Sequence, residues 1–313
     1  MEYKIKHLFY VPFTGLGLYN GFRGNRWLRN RIKIFKQFVV PSLLAQTNQN
    51  FILWISWRPQ EKHNRYVKEL KHWLDQTSLQ VYFSYNGLCI YDDKLPLLEA
   101  REKLITSLHS TLGELNDLLD CTHVYVTLQP SDDCYSKYTV EWLQKSFAEL
   151  ECNAIGFKHG YIMNYLTKDV AEYNPSTNPP FYTIKYPRDV FIDPLKHLDY
   201  IALKSDQGPY PAGTPLPSHE YPKDCFKYAV SEERGFLVGC HSENISTTFN
   251  HTFKGKLVDK ETLQKFGLQN VPHLQIPVNL RRLFLHRLPA RVQRKLRYYF
   301  GELMYNKIHA FFH

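Results

Sequence analysis

No two of the six cysteines, Cys89, Cys121, Cys134, Cys152, Cys225 and Cys240, form a C-x-x-C pair, which excludes a zinc knuckle and a dithiol redox motif. Scattered singly, they are expected to be free thiols in a reducing compartment. No apolar run approaches the roughly 18 residues of a membrane span, and the opening MEYKIKHLFYVPF lacks the apolar core of a secretory leader. These absences predict a cytoplasmic chain. No internal repeat is visible, nor any module that reads RNA or DNA. Acidic residues are missing from Pro272 to Gly301, where Arg281, Arg282, Arg287, Arg291, Arg294, Lys295 and Arg297 crowd together. The net charge of +9 is therefore partly a feature of the tail. It points to anionic partners: nucleotide phosphates, nucleic acid or an anionic membrane surface.

What is present is ordinary for a folded protein: 313 residues, 43% of them hydrophobic, with 22 Tyr, 20 Phe and 5 Trp to fill a core or line a cleft. Strand-like runs at Ile5–Pro12, Phe51–Trp57, Leu79–Tyr85, Thr122–Leu128 and Ala154–Phe157 alternate with helical spacings. The helices are marked by Leu28, Ile32, Phe35, Val39 and Leu43, then by Val67, Leu70 and Leu74. A long one runs from Leu97 to Leu119, and another carries Val140, Leu143, Phe147 and Leu150. Strand and helix in alternation predict an α/β fold with a mostly parallel sheet and crossover helices.

Beyond about Tyr165 the pattern loosens into segments rich in Pro, Asn and Tyr, which predict loops that cap the sheet and receive a second substrate. We therefore divide the chain into a ligand-binding half at residues 1–165, an acceptor half at 166–270 and a basic tail at 271–313. In the tail, Val292, Leu296, Tyr299 and Leu303 share one helical face among arginines. Such a helix either lies on a membrane surface or packs on its own domain.

The stretch VTLQPSDD starts in a strand and leaves it at Pro130, so Asp132 and Asp133 fall at the carboxyl edge of the sheet, where open α/β sheets bind ligands. Two readings are open. Asp before a helical run is an ordinary cap. Paired carboxylates at a ligand edge also suit Mg²⁺ or Mn²⁺, which bridge one or two carboxylates to substrate phosphates. The glycines of GLGLYNGFRG, from Gly15 to Gly24, do not have dinucleotide-fingerprint spacing and read as a loop.

The stretch NRWLRNRIKIFKQFVVPSLLAQTNQNFILWIS resembles the start of the rhamnosyltransferase family, with Arg31, Phe35, Pro41, Ser42, Leu43, Gln46 and Thr47 carrying the match. PSDDCYSKYTVEWLQ stands where that family closes a central strand with D-x-D-D, and GFLVGCHSENIST resembles its H-x-x-N-[IV]-S segment through His241, Asn244, Ile245 and Ser246. The family's leading Asp falls at Pro130 here. The resemblance implies a GT-A fold: a Rossmann-like, mixed, mostly parallel sheet flanked by helices, with a loop-rich acceptor half.

It also implies a metal-dependent glycosyltransferase that moves a sugar from a nucleotide-sugar donor to a glycan, lipid-linked or small-molecule acceptor. Asp132, Asp133 and His241 would hold Mn²⁺ or Mg²⁺, and Arg26, Arg31, Asp132 and Asp133 would face the donor. One of Glu220, Asp224, Glu232 and Glu233 would act as general base if the reaction inverts. Such an enzyme would be cytoplasmic, peripheral on the inner membrane face if the tail anchors it. The rivals are an inactive GT-A-like protein that binds sugars or partners, and a nucleic-acid-binding protein that uses the basic tail. Nucleic acid is disfavoured because the charge is concentrated at one end.

Overall fold

The structure is a computed structural model that describes residues 4–14, 24–87, 97–176, 179–201, 222–241, 244, 247–250 and 253–276. Its centre is the parallel set expected from the apolar runs. β1 (Ile5–Pro12) lies between β2 (Ile52–Ser56) and β4 (His123–Leu128), and β3 (Val81–Ser84) flanks β2. β2 is buried along its whole length. Alternate side chains of β1 enter two cores. Phe9 and Val11 meet Phe35, Val39 and Leu43 from the helices on one face, whereas Leu8 and Tyr10 meet Leu112, Leu115 and Leu119 from the other. The last three belong to or follow the long crossover helix Leu97–Asn116.

The helix expected through Leu28–Leu43 is interrupted. α1 (Asn25–Ile34) passes into a π-turn at Phe35–Val39 and then into α2 (Val40–Leu44). Pro41 has no N–H for the Gln37 carbonyl and its ring would crowd that group, so the ladder widens. The N–H of Val40 accordingly reaches back five residues to the Phe35 carbonyl. The turn matters later because it carries Phe38.

β5 (Cys134–Tyr135) and β6 (Ala154–Asn164) follow the parallel set. Beyond Tyr165 the chain contributes more than loops: β7 (Val170–Tyr173), β8 (Tyr182–Pro187), β9 (Tyr228–Cys240) and β10 (Lys254–Leu257). The sheet runs in the order β10-β7-β6-β8-β4-β1-β2-β3, with β9 alongside β6 and β5. The sheet is parallel from β3 to β4 and turns antiparallel at β8. β6 and β9 run parallel through a bulge between Phe157 and Gly160. The two halves divided at Tyr165 thus share one sheet. Residues 277–313, which hold most of the basic tail, lie outside the described residues, and so does Cys89. The other five cysteines are free.

His7 on β1 is 1% exposed, with its Nε2 2.7 Å from Thr127 Oγ1. Burial pushes its pKa down to about 3. The neutral ring is therefore the one that folds, so the stability tied to His7 is complete above its unfolded value near 6.5 and drains as pH falls from there toward 3. The expected slope is about 1.4 kcal/mol per pH unit inside that window. Urea denaturation at several pH values should show it in the parent, and His7→Gln should remove that part of the slope.

Candidate functional site

The carboxyl ends of β1 and β4 are joined to the far end of β9 by one loop. Gln129, fully buried, donates its backbone N–H to Tyr10 O at 2.8 Å, and its Nε2 donates to Pro130 O and Asp133 O, each at 2.8 Å. β5 then pairs with Phe236 and Leu237 of β9. Tyr135 Oη donates to Leu128 O at 2.7 Å, which closes the loop from behind. Asp132 and Asp133 sit inside this frame.

The two aspartates do different things. Asp133 is 8% exposed, and its Oδ1 accepts the Gly239 N–H at 2.8 Å, so it ties the loop to β9. Burial and the neighbouring Asp132 charge push its carboxyl well above the usual range. Asp132 points the other way. Its Oδ2 accepts from Arg31 Nη1 and stands 3.1 Å from His241 Nε2. Burial opposes its ionisation, but the Arg31 charge and the hydrogen bonds from His241 and Arg31 outweigh that and hold its carboxyl far below the carboxylate range.

Each partner is held from behind. Arg31 comes from α1, is 6% exposed and has its guanidinium 5.7 Å from the Trp27 ring centroid. The His241 side chain is fully buried. Its backbone N–H is donated to Asn244 Oδ1, and Asn244 Nδ2 donates to Gly239 O at 2.8 Å. Tyr165 is the hub that no sequence pattern singled out. Its Oη donates to the Asp132 carbonyl at 2.8 Å, its ring stacks on Phe38 at 3.7 Å and lies 6.4 Å from the His241 ring at 20°. The π-turn delivers Phe38 to that stack, and the Tyr165 carbonyl accepts the Leu274 N–H from a C-terminal strap.

The remaining expected residues fall elsewhere. Arg26 is exposed in the first turn of α1. Glu232 reaches Lys158 at 3.2 Å and His159 at 3.6 Å. Glu233 is exposed beside it, and Asp224 is exposed just before β9. At about 3.3 Å per residue Glu232 and Glu233 stand roughly 25 Å or more from His241 along β9. Glu220 lies outside the described residues.

Among the described residues no three carboxylate, thiol or imidazole groups converge into a complete metal cage. Asp132 Oδ2 and His241 Nε2, 3.1 Å apart, are close enough for one ion to touch both if the proton between them leaves. That suits Mn²⁺ or Mg²⁺, which take one or two protein ligands and fill the rest with water and phosphate oxygens. Asp133, the other expected ligand, has its Oδ1 engaged by the Gly239 N–H. Asp133→Asn keeps an oxygen for that N–H and is expected to stay within about 1 kcal/mol of the parent, whereas Asp133→Ala should cost about 2 kcal/mol by orphaning a buried donor. Urea denaturation compares the two. A ligand role for Asp133 would show instead as lost Mn²⁺ affinity in Asp133→Asn.

A family model described as "Putative rhamnosyl transferase" matches residues 22–107, less than half of the chain. The match includes Arg31 and stops short of Asp132 and His241. No curated protein sequence matches. Among solved structures, S. aureus TarS 1–349 is 11% identical, with 75% of this chain and 60% of that one covered at a TM-score of 0.39. Its complex with UDP-GlcNAc is likewise 11% identical, with 84% and 64% covered at 0.39. A protein from Desulfovibrio desulfuricans G20 described as a "putative nucleotide-diphospho-sugar transferase" is 14% identical, with 74% and 80% covered at 0.33. The chain thus spans about 60% of the length of the first of these. These overlaps are loose, and the chemistry of the site rests on its own residues.

Proposed function

We propose that this protein is a GT-A-type glycosyltransferase that takes a sugar from a nucleotide-sugar donor. The observation that carries the reading is the convergence of Arg31, Asp132 and His241 beyond the carboxyl ends of parallel strands, where such sheets receive nucleotides. The family-model match over residues 22–107 supports it.

Asp132 and His241 would hold a divalent cation, whose charge stabilises a departing diphosphate when it is bound. The chain's own residues do the rest. Arg31 offers a planar fork that suits phosphate oxygens. Tyr165 and Asn244 fix the backbone on either side, so the carboxylate and the imidazole are set before a ligand arrives. The acceptor is a glycan, a lipid-linked glycan or a small molecule in this reading. Among the described residues no helix is long and apolar enough to cross a membrane, and attachment by the basic tail stays part of the proposal.

A second reading, a sugar-binding relative without turnover, is favoured by one observation: Pro130 stands where the resemblance calls for an aspartate. A thermal-shift screen of UDP-, GDP- and dTDP-sugars with and without Mn²⁺, followed by release of nucleoside diphosphate, tests both. The transferase reading expects a stabilising donor and its turnover. Stabilisation without turnover would support the binding relative, and no stabilisation by any donor would defeat both.

A further inference from the structure

The Asp132 carboxylate already has a cation. Arg31 Nη1 contacts Oδ2, the same oxygen that His241 Nε2 approaches at 3.1 Å. Arg31 is covalently held, its side chain is 7% exposed, and its Nε is buried without a hydrogen-bond partner. Asp133 is tied through its Oδ1 to the Gly239 N–H. The Asp132 carboxylate faces the Arg31 guanidinium and the His241 ring. A divalent ion arriving alone would meet that guanidinium at the carboxylate, in surroundings that screen poorly. A buried guanidinium also cannot give up its carboxylate without another anion to take its place.

A diphosphate supplies that anion. Its oxygens match the guanidinium fork, and the orphaned Nε is a donor still available for the second bond. The Trp27 ring 5.7 Å from the guanidinium can support it as it turns. We propose that Arg31 is a resident counter-ion that keeps divalent metal off Asp132 until a nucleoside diphosphate draws the guanidinium away, so that metal and donor bind as a coupled pair. The proposal rests on the nucleotide-sugar reading above and adds an order of binding to it.

The test is Mn²⁺ binding to the full chain, followed by electron paramagnetic resonance, alone and with UDP, GDP or dTDP, against controls of each nucleotide without protein. The parent should bind Mn²⁺ weakly alone and at least about tenfold more tightly with the nucleotide it prefers, a coupling of ordinary allosteric size. Arg31→Met should bind Mn²⁺ alone about tenfold more tightly than the parent and lose most of the coupling. Arg31→Lys, which keeps the charge, should resemble the parent toward Mn²⁺ alone and guards against a folding defect in the methionine variant. Mn²⁺ binding by Arg31→Met no tighter than in the parent, while the parent still binds Mn²⁺ with nucleotide, overturns the proposal and leaves the transferase reading intact. Absence of Mn²⁺ and nucleotide binding in every protein overturns both.

Discussion

Asp132→Asn is expected to lose about a thousandfold in donor turnover and about 3 kcal/mol in stability, and the two losses should separate in a double variant. The carboxylate neutralises a guanidinium that is almost fully buried, and its Oδ2 faces His241 Nε2 where the proposed cation would bind. The amide leaves Arg31 charged and uncompensated, which is the costly way to break a buried pair. Replacing both, as Arg31→Met with Asp132→Asn, removes the orphaned charge and should recover most of the stability while turnover stays lost. Urea denaturation and release of nucleoside diphosphate read the two effects independently. If the double variant is no more stable than Asp132→Asn, the pair is not the buried unit described here.

Gly239→Ala should be nearly as damaging, from a residue that carries no chemistry. A Cβ at Gly239 would lie 2.4 Å from the Asp132 carbonyl and 2.4 Å from the Tyr165 ring. Both are fixed: the carbonyl accepts from Tyr165 Oη, and the ring is stacked on Phe38. Neither can move aside without taking Asp132 with it. The expected result is about 2–3 kcal/mol of destabilisation by overpacking and about a hundredfold loss of turnover from a displaced carboxylate. A variant with parental turnover would show that the loop has slack the packing does not suggest.

The parallel centre of the fold was legible because β1, β2 and β4 are buried on both faces and read as unbroken apolar runs. The strands after Tyr165 were not. β7 and β8 are short, and β9 is interrupted by the charged run Glu232–Arg234 before its apolar half, so periodicity suggested loops. The π-turn hides inside a continuous helical spacing; Pro41 was its only signal. At the site, the approach of His241 to Asp132 spans 109 residues and could be anticipated only through the family resemblance, not through spacing. The division of labour between Asp132 and Asp133 was not legible, because Asp132 sits in a turn ahead of β5, where strand alternation does not set side-chain directions. Tyr165 and Gly239 left no mark, since a tyrosine among 22 and a glycine at a strand's end look structural until their neighbours are known.

The central claim is that Asp132 and His241 hold the cation that meets the donor's phosphates. Pulsed electron–nuclear double resonance tests it on the full chain labelled with ¹⁵N-histidine, loaded with Mn²⁺ and the nucleoside diphosphate that stabilises it. The expected spectrum shows a ³¹P coupling and a ¹⁵N coupling on the same Mn²⁺ centre, with the ¹⁵N coupling lost in His241→Gln and the ³¹P coupling weakened in Asp132→Asn. A ³¹P coupling with no ¹⁵N coupling, or a ¹⁵N signal that survives His241→Gln, would contradict the account.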